Sequence, residues 1–169
     1  MPEHMDQTDS LTVLRGSTMK LPENVAPATV LEAFPNQFPD RIYMINLIFP
    51  EFTSLCPVTA QPDFGSIIFE YIPDKLCVES KSFKLYLFSY RNRGSFMETI
   101  TNTILEDLQN LLSPCWARVQ GLFAPRGATR INVYAEYLSK KLTDPKREEV
   151  KLFLKDWRRE QHVHGHPLK

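Results

Sequence analysis

"SKSFKLYLFSYRNRGSFMETITNTILEDLQNLL", residues 80–112, carries two apolar stripes of helical period, one after the other. Phe83, Tyr86, Leu87 and Tyr90 recur at i, i+3, i+4 and i+7, which predicts a helix over 80–92. Gly94 reads as its stop. Phe96, Ile100, Ile104, Leu108 and Leu111 predict a second helix. Ser95 is its expected N-cap, and Glu98, three residues on, its capping-box partner. Pro114 lies just past its end.

Outward from this pair the period changes on both sides. "RIYMINLIF" (41–49) is β-branched and aromatic and reads as a buried strand; "GSIIFEYIP" (65–73) reads as a second, ended by Pro73. The segment between them reads as a loop. "CWARVQGLFAP" (115–125) and "TRINVYAEY" (129–137) read as strands joined by the turn Pro125-Arg126-Gly127. In the latter strand Ile131, Val133, Ala135 and Tyr137 share a face. "DPKREEVKLFLKDWRRE" (144–160) predicts a third helix, with Asp144 as cap, Pro145 at its first position and Val150, Phe153, Leu154 and Trp157 as its stripe.

The order β-β-α-α-β-β-α describes an α+β fold. Two hairpins flank a helix pair, so the expected architecture is a four-stranded antiparallel sheet with its helices on one face and an extra C-terminal helix. The expected division is an extended arm over 1–40, where prolines 22, 27, 35 and 39 interrupt any period, a catalytic domain over 41–140, and a helix and tail over 141–169. Both strands of the first hairpin are apolar on two faces. That predicts association with further copies, closing sheets into a barrel.

The 169 residues carry 20 cationic and 20 anionic side chains, so no general field favours nucleic acid or an anionic membrane. No apolar run reaches the roughly 18 residues of a membrane span. The start, "MPEHMDQTDS", is polar and acidic, unlike a secretory signal, and the expected location is the cytoplasm. Three cysteines, Cys56, Cys77 and Cys115, form no disulfide framework and have no zinc-finger spacing. His162, His164 and His166 alternate in the tail, which reads as mobile rather than as a metal site.

"EFTSLCPVTAQPDFG" (51–65) concentrates the chemistry. A thiolate is soft and nucleophilic, and Cys56 precedes Pro57 in a polar loop, a poor address for a core filler. Asp63 is near enough in sequence to exchange a proton beside the sulfur. On the residues alone, nucleophile and structural cysteine both remain open. Cys77 and Cys115 sit in apolar stretches and read as core.

"ESKSFKLY" (79–86) resembles the signature of the NADPH-dependent nitrile reductases of the queuosine pathway: Glu, Ser or Leu, Lys, Ser or Ala, an apolar residue, Lys, Leu or Tyr, then an aromatic. "FPEFTSLCPVTAQPDFG", "YIPDKLCVESKSFKLYLFSYRNRG" and "LFAPRG" are similar to the same family, so the resemblance covers about 49–127. It implies a tunnelling fold and the reduction of 7-cyano-7-deazaguanine to 7-aminomethyl-7-deazaguanine with two NADPH. In it, Cys56 matches the nucleophile that forms a thioimide on the nitrile carbon, and Asp63 the proton donor. The first hydride then gives a hemithioaminal; loss of the thiol gives an imine, which a second hydride reduces to the amine.

The same resemblance makes Glu98 the clamp for the N1–H and exocyclic amine of the base, in competition with its capping-box reading, and Val78, Glu79 and Ser80 a second substrate-contacting run. Lys81 and Lys84, three apart on the first helix, are candidates for NADPH phosphates or plain solvated charges, and Arg126 is another phosphate candidate. No G-x-G-x-x-G fingerprint is present, so the NADPH site that the resemblance implies is not a Rossmann unit. Met97, expected to pack on the base, stands where the family usually has histidine. The stretch after "PRG" and the helix over 144–160 also depart from the family pattern.

The implied assembly is a homo-oligomer, two stacked pentamers with sites shared between neighbours, acting on a small molecule and on no nucleic acid directly. Two alternatives stay open: a thioimide-forming relative that makes an amidine without NADPH, and a non-catalytic purine- or pterin-binding module.

Overall fold

The computed structural model describes residues 26–164, with side chains described through Glu160. Most of the expected arm, and the side chains of the three tail histidines, lie outside the described residues. A 3-10 turn at Pro27–Val30 precedes β1 (Ala33–Pro35), β2 (Ile45–Leu55), β3 (Pro62–Ile72), β4 (Leu76–Val78), α1 (Ser80–Phe88), α2 (Met97–Leu112), β5 (Trp116–Phe123), β6 (Asn132–Leu138) and α3 (Asp144–His164). The main sheet has the order β2-β3-β5-β6, antiparallel throughout, and β1 pairs with β4 in a two-stranded ribbon.

The fold class is the one expected, with its boundaries moved. The first long strand begins at Ile45, not Arg41, and runs to Leu55, and the next begins at Pro62, not Gly65, so the loop between them shrinks to residues 56–61. Pro50 lies inside β2. A proline cannot donate to the ladder, and β2 is an edge strand that shifts register between Phe49 and Phe52. Before the shift, Ile45, Leu47 and Phe49 face the core; after it, the fully buried Phe52 and Ser54 do. The last part of the expected arm is also structured: Leu31 joins the core, and Ala33 pairs with Val78.

α1 stops at Phe88 rather than at residue 92, because the next bonds tighten to i→i−3: Tyr90 N–H donates to Leu87, Arg91 N–H to Phe88 and Arg93 N–H to Tyr90. α2 starts at Met97 with Phe96 as N-cap, and no side chain caps it, so the expected Ser95–Glu98 capping box does not form. α3 begins at Asp144, where Arg147 N–H donates to the Thr143 carbonyl; the cap thus falls one residue before the expected Asp144.

α1 and α2 cover one face of the sheet. Phe83, Tyr86 and Leu87 from α1 and Ile100, Ile104, Leu105 and Leu108 from α2 pack with Ile67, Phe69, Tyr71, Ala117 and Val119. Gly121 leaves room for α2: a methyl group there would run into the Thr101 hydroxyl. Tyr86 Oη donates to Asp107 Oδ2 at 2.6 Å and lies 3.0 Å from Tyr90 Oη, which ties the two helices together.

α3 crosses to the opposite face. Val150 and Leu154 pack with Ile72, Cys115 and Trp116. Beneath the helix, the fully buried Glu70 accepts from Arg118 Nε at 2.9 Å, Gln120 Nε2 at 3.0 Å and Trp157 Nε1 at 3.4 Å. On the same face Ile48, Phe64 and Tyr134 stay exposed.

Candidate active site

The β2–β3 hairpin builds the site. Leu55 pairs with Pro62, and the loop between them closes through Cys56 N–H to the Gln61 carbonyl (2.8 Å) and Ala60 N–H to the Cys56 carbonyl (2.9 Å). Ala60 accepts a φ of 55° to make that closure. Cys56 is therefore fixed by backbone bonds on both sides while its side chain stays half-exposed. Seven residues on, Asp63 pairs with Ser54 on the core-facing side of the sheet and is 3% exposed. The tight loop is what brings thiol and carboxyl to one cavity.

That cavity measures about 260 Å³ and is lined by Cys56, Pro57 and Asp63, by Phe96, Met97 and Glu98 at the start of α2, and by Arg126 and its neighbours after β5. It lies just below the size of ordinary ligand pockets, which run about 300–1,000 Å³. Arg126 makes an ion pair with Asp63. Its backbone is pinned by reciprocal 2.9 Å bonds with Thr129 across Gly127 and Ala128, both at positive φ.

Electrostatics favour a thiolate at Cys56. The Thr59 hydroxyl is the largest cause, followed by the N–H groups of Thr59 and Val58 and by the Arg126 guanidinium; together they bring the thiol down to about 6. The other two cysteines are buried, as expected; burial pushes Cys115 up, and its sulfur faces the Pro73 carbonyl.

The chain resembles known proteins along most of its length. A family model described as "QueF-like protein" matches residues 62–142. The NADPH-dependent 7-cyano-7-deazaguanine reductase of Desulfovibrio desulfuricans is 57% identical over 159 residues, covering 94% of this chain and 95% of that one. The chain belongs to this reductase family. The enzyme of the same name from Nitratidesulfovibrio vulgaris is 52% identical over 160 residues, 95% of this chain and 96% of that one. In fold the chain is similar to the archaeosine synthase QueF-Like in the apo form, with a TM-score of 0.52, 24% identity, and coverage of 59% of this chain and 96% of that one.

The reductase-family residues singled out in the sequence fall in three places. Cys56, Asp63, Met97, Glu98 and Arg126 share the cavity. Val78, Glu79, Ser80 and Lys81 lie elsewhere, at the junction of β4 and α1. Val78 N–H donates to Tyr71 Oη, and eight residues of strand separate Tyr71 from Asp63, about 26 Å at the usual rise. Glu79 caps α1, accepting from Lys81 N–H at 2.8 Å and Ser82 N–H at 2.6 Å, and these two bonds hold its carboxyl below the usual range. Lys84 borders a third feature, a groove of about 590 Å³ that also includes Arg91, Phe49 and Phe64.

Two contributors had no sequence signal. Thr59 is one of many small polar loop residues. Phe96 reads as the first member of a core stripe, yet it is 57% exposed at the cavity.

Proposed function

We propose that this protein reduces the nitrile of 7-cyano-7-deazaguanine to the aminomethyl group, as an NADPH-dependent oxidoreductase of queuosine biosynthesis in the cytoplasm. One observation carries the reading: an activated thiol, a buried carboxyl group and a second carboxylate line one cavity of base size.

A nitrile is a poor hydride acceptor, because the nitrogen anion formed in a dry site is unstable. Cys56 removes that obstacle by adding to the nitrile carbon and leaving a C=N bond. Asp63 supplies the proton as nitrogen gains charge, a role worth about 10²–10⁴-fold. Glu98, free of any capping duty, accepts the two donors of the base edge in a forked pair. Phe96 and Met97 offer the flat face of the base an aromatic ring and a thioether.

The groove beside Lys84 suits a phosphate-bearing cofactor: Lys84 and Arg91 supply cations next to aromatic walls. NADPH bound there supplies the hydrides. Lys81, one α-helical turn before Lys84, extends the cationic row. Arg126 has Asp63 as its partner instead of a cofactor phosphate in this reading.

No described helix is long and apolar enough to cross a membrane. The separation of the Glu79 run from Cys56 within one chain is what a shared site requires, and we place the two runs together across the boundary between neighbouring copies, in a homo-oligomer of two stacked pentamers. Incubation with the nitrile, with and without NADPH, tests the whole reading. Oxidation of NADPH together with a Cys56 adduct is expected. An adduct that goes on to an amidine without oxidation would replace it with the amidine-forming alternative, and reversible binding without an adduct with the non-catalytic one.

A further inference from the structure

Arg126 is the only cation lining the Cys56 cavity among the described residues, against three groups able to carry negative charge: Cys56, Asp63 and Glu98. Its guanidinium bonds to one of them, a terminal nitrogen meeting Asp63 Oδ1. Cys56 lines the same cavity, and the guanidinium is among the groups that lower its thiol. The Arg126 Nε is buried and has no partner, so the side chain gives up a bond to hold this pose. Asp63 is almost fully buried, and a buried carboxylate needs a facing cation. The pinned turn across Gly127 and Ala128 keeps the arginine from drifting away.

Building on the nitrile-reducing reading, we propose that Arg126 is a positioning residue that carries the negative charge of the site from sulfur to carboxylate during thioimide formation. Cys56 and Asp63 share one proton. In the reactive form the proton is on Asp63 and the guanidinium faces the thiolate. When sulfur attacks, the S–C bond forms and one C–N π pair moves to nitrogen. Nitrogen then takes the Asp63 proton. No oxidant or reductant is consumed, and the net charge of thiol, acid and nitrile is unchanged. The charge has moved from one neighbour of Arg126 in the cavity to the other. Because the cation already faces both ends, the environment does not have to rearrange as the bond forms.

The test has two readouts on purified full-length protein. The first is the pH profile of Cys56 alkylation by iodoacetamide without substrate, read by intact mass. Wild-type protein is expected to inflect near 6. Arg126→Gln is expected to inflect higher, part-way to the ~8.5 of an ordinary thiol, since Thr59 and Val58 still contribute. Arg126→Lys keeps the charge without the fork and is expected between the two. The second readout is the rate of adduct formation with the nitrile, which in Arg126→Gln is expected to fall on the order of 10²-fold with little change in the nitrile's KM.

A Gln variant that keeps the wild-type inflection, or the wild-type adduct rate, overturns the proposal, and so does a Lys variant that inflects where Gln does. If Gln fails to fold, the Lys variant decides alone: an inflection unchanged from wild type counts against a role for the fork. If wild-type protein forms no nitrile adduct, the reductase reading falls, while the alkylation profiles still decide whether Arg126 holds Cys56.

Discussion

Cys56 reacts or stays silent according to which groups reach its sulfur. The Thr59 hydroxyl, two loop N–H groups and Arg126 bring its thiol down to about 6, so the thiolate is present at neutral pH and is lost as pH falls through that value. Turnover is therefore expected to drop on the acid side of about 6, and a flat profile down to pH 5 in adduct formation would contradict the assignment. Cys56→Ala is expected to abolish the nitrile adduct in an intact-mass measurement; an adduct that persists puts the nucleophile elsewhere. Cys77 and Cys115 are buried and line neither the cavity nor the groove beside Lys84. Met97 has two neighbourhoods, being 8% exposed and part of the core while also lining the cavity. Met97→His is expected to preserve or raise turnover in an NADPH oxidation assay, since imidazole adds a donor at the substrate. A large fall would show that the thioether's packing is needed there.

At the scale of elements, α3 is held to the sheet by a small apolar cluster and by one buried polar network. Glu70 has no exposed surface and accepts from Arg118, Gln120 and Trp157, the last of which comes from α3. Glu70→Gln leaves Arg118 without its anion and is expected to cost on the order of 3 kcal/mol. That corresponds to a fall of roughly 6–12 °C in Tm. A melting curve within 2 °C of wild type would mean that water replaces the pair, an outcome about as large as a surface substitution gives. The helices were legible because Phe83, Tyr86, Ile100, Ile104 and Leu108 repeat at 3.6 residues whatever they pack against. The strands were legible from β-branched runs. The β2 register shift was not, because it falls at Pro50 and Glu51, between Phe49 and Phe52, and nothing in the local pattern says which strand is the neighbour against which the shift is defined. The β1–β4 ribbon pairs Ala33 with Val78, a contact with no local signature. Ser95 and Glu98 fit a capping box in sequence, but Ser95 N–H donates to the Leu55 carbonyl and Leu55 bridges to Gly94, which ties that segment to the hairpin loop and frees Glu98 for the cavity. Cys56 and Asp63 were legible from their loop and from family resemblance; Thr59 and Phe96 were not, since their roles come from where the hairpin and α2 meet.

For the whole molecule, the decisive fact is that one chain cannot bring all its candidate site residues together. Cys56, Asp63 and Glu98 end one side of the sheet, and Val78, Glu79 and Ser80 lie off the other. A rigid sheet does not fold in half, so if both runs touch one substrate, they come from two copies. The exposed Ile48, Phe64 and Tyr134 on the sheet, and the edge strands β2 and β6, give such copies apolar and hydrogen-bonding surface to share. Complementation follows. Cys56→Ala protein lacks the nucleophile, and Glu79→Gln protein weakens the second run while keeping an acceptor for the α1 cap. Each alone is expected to be nearly inactive. Co-expressed at equal levels, random mixing puts an intact Cys56 half against an intact Glu79 half at roughly a quarter of the boundaries, and activity should return to about that share of wild type. If the co-expressed mixture stays as inactive as its parents while sedimenting as one assembly, each site is built from a single chain and the Glu79 run serves α1 alone.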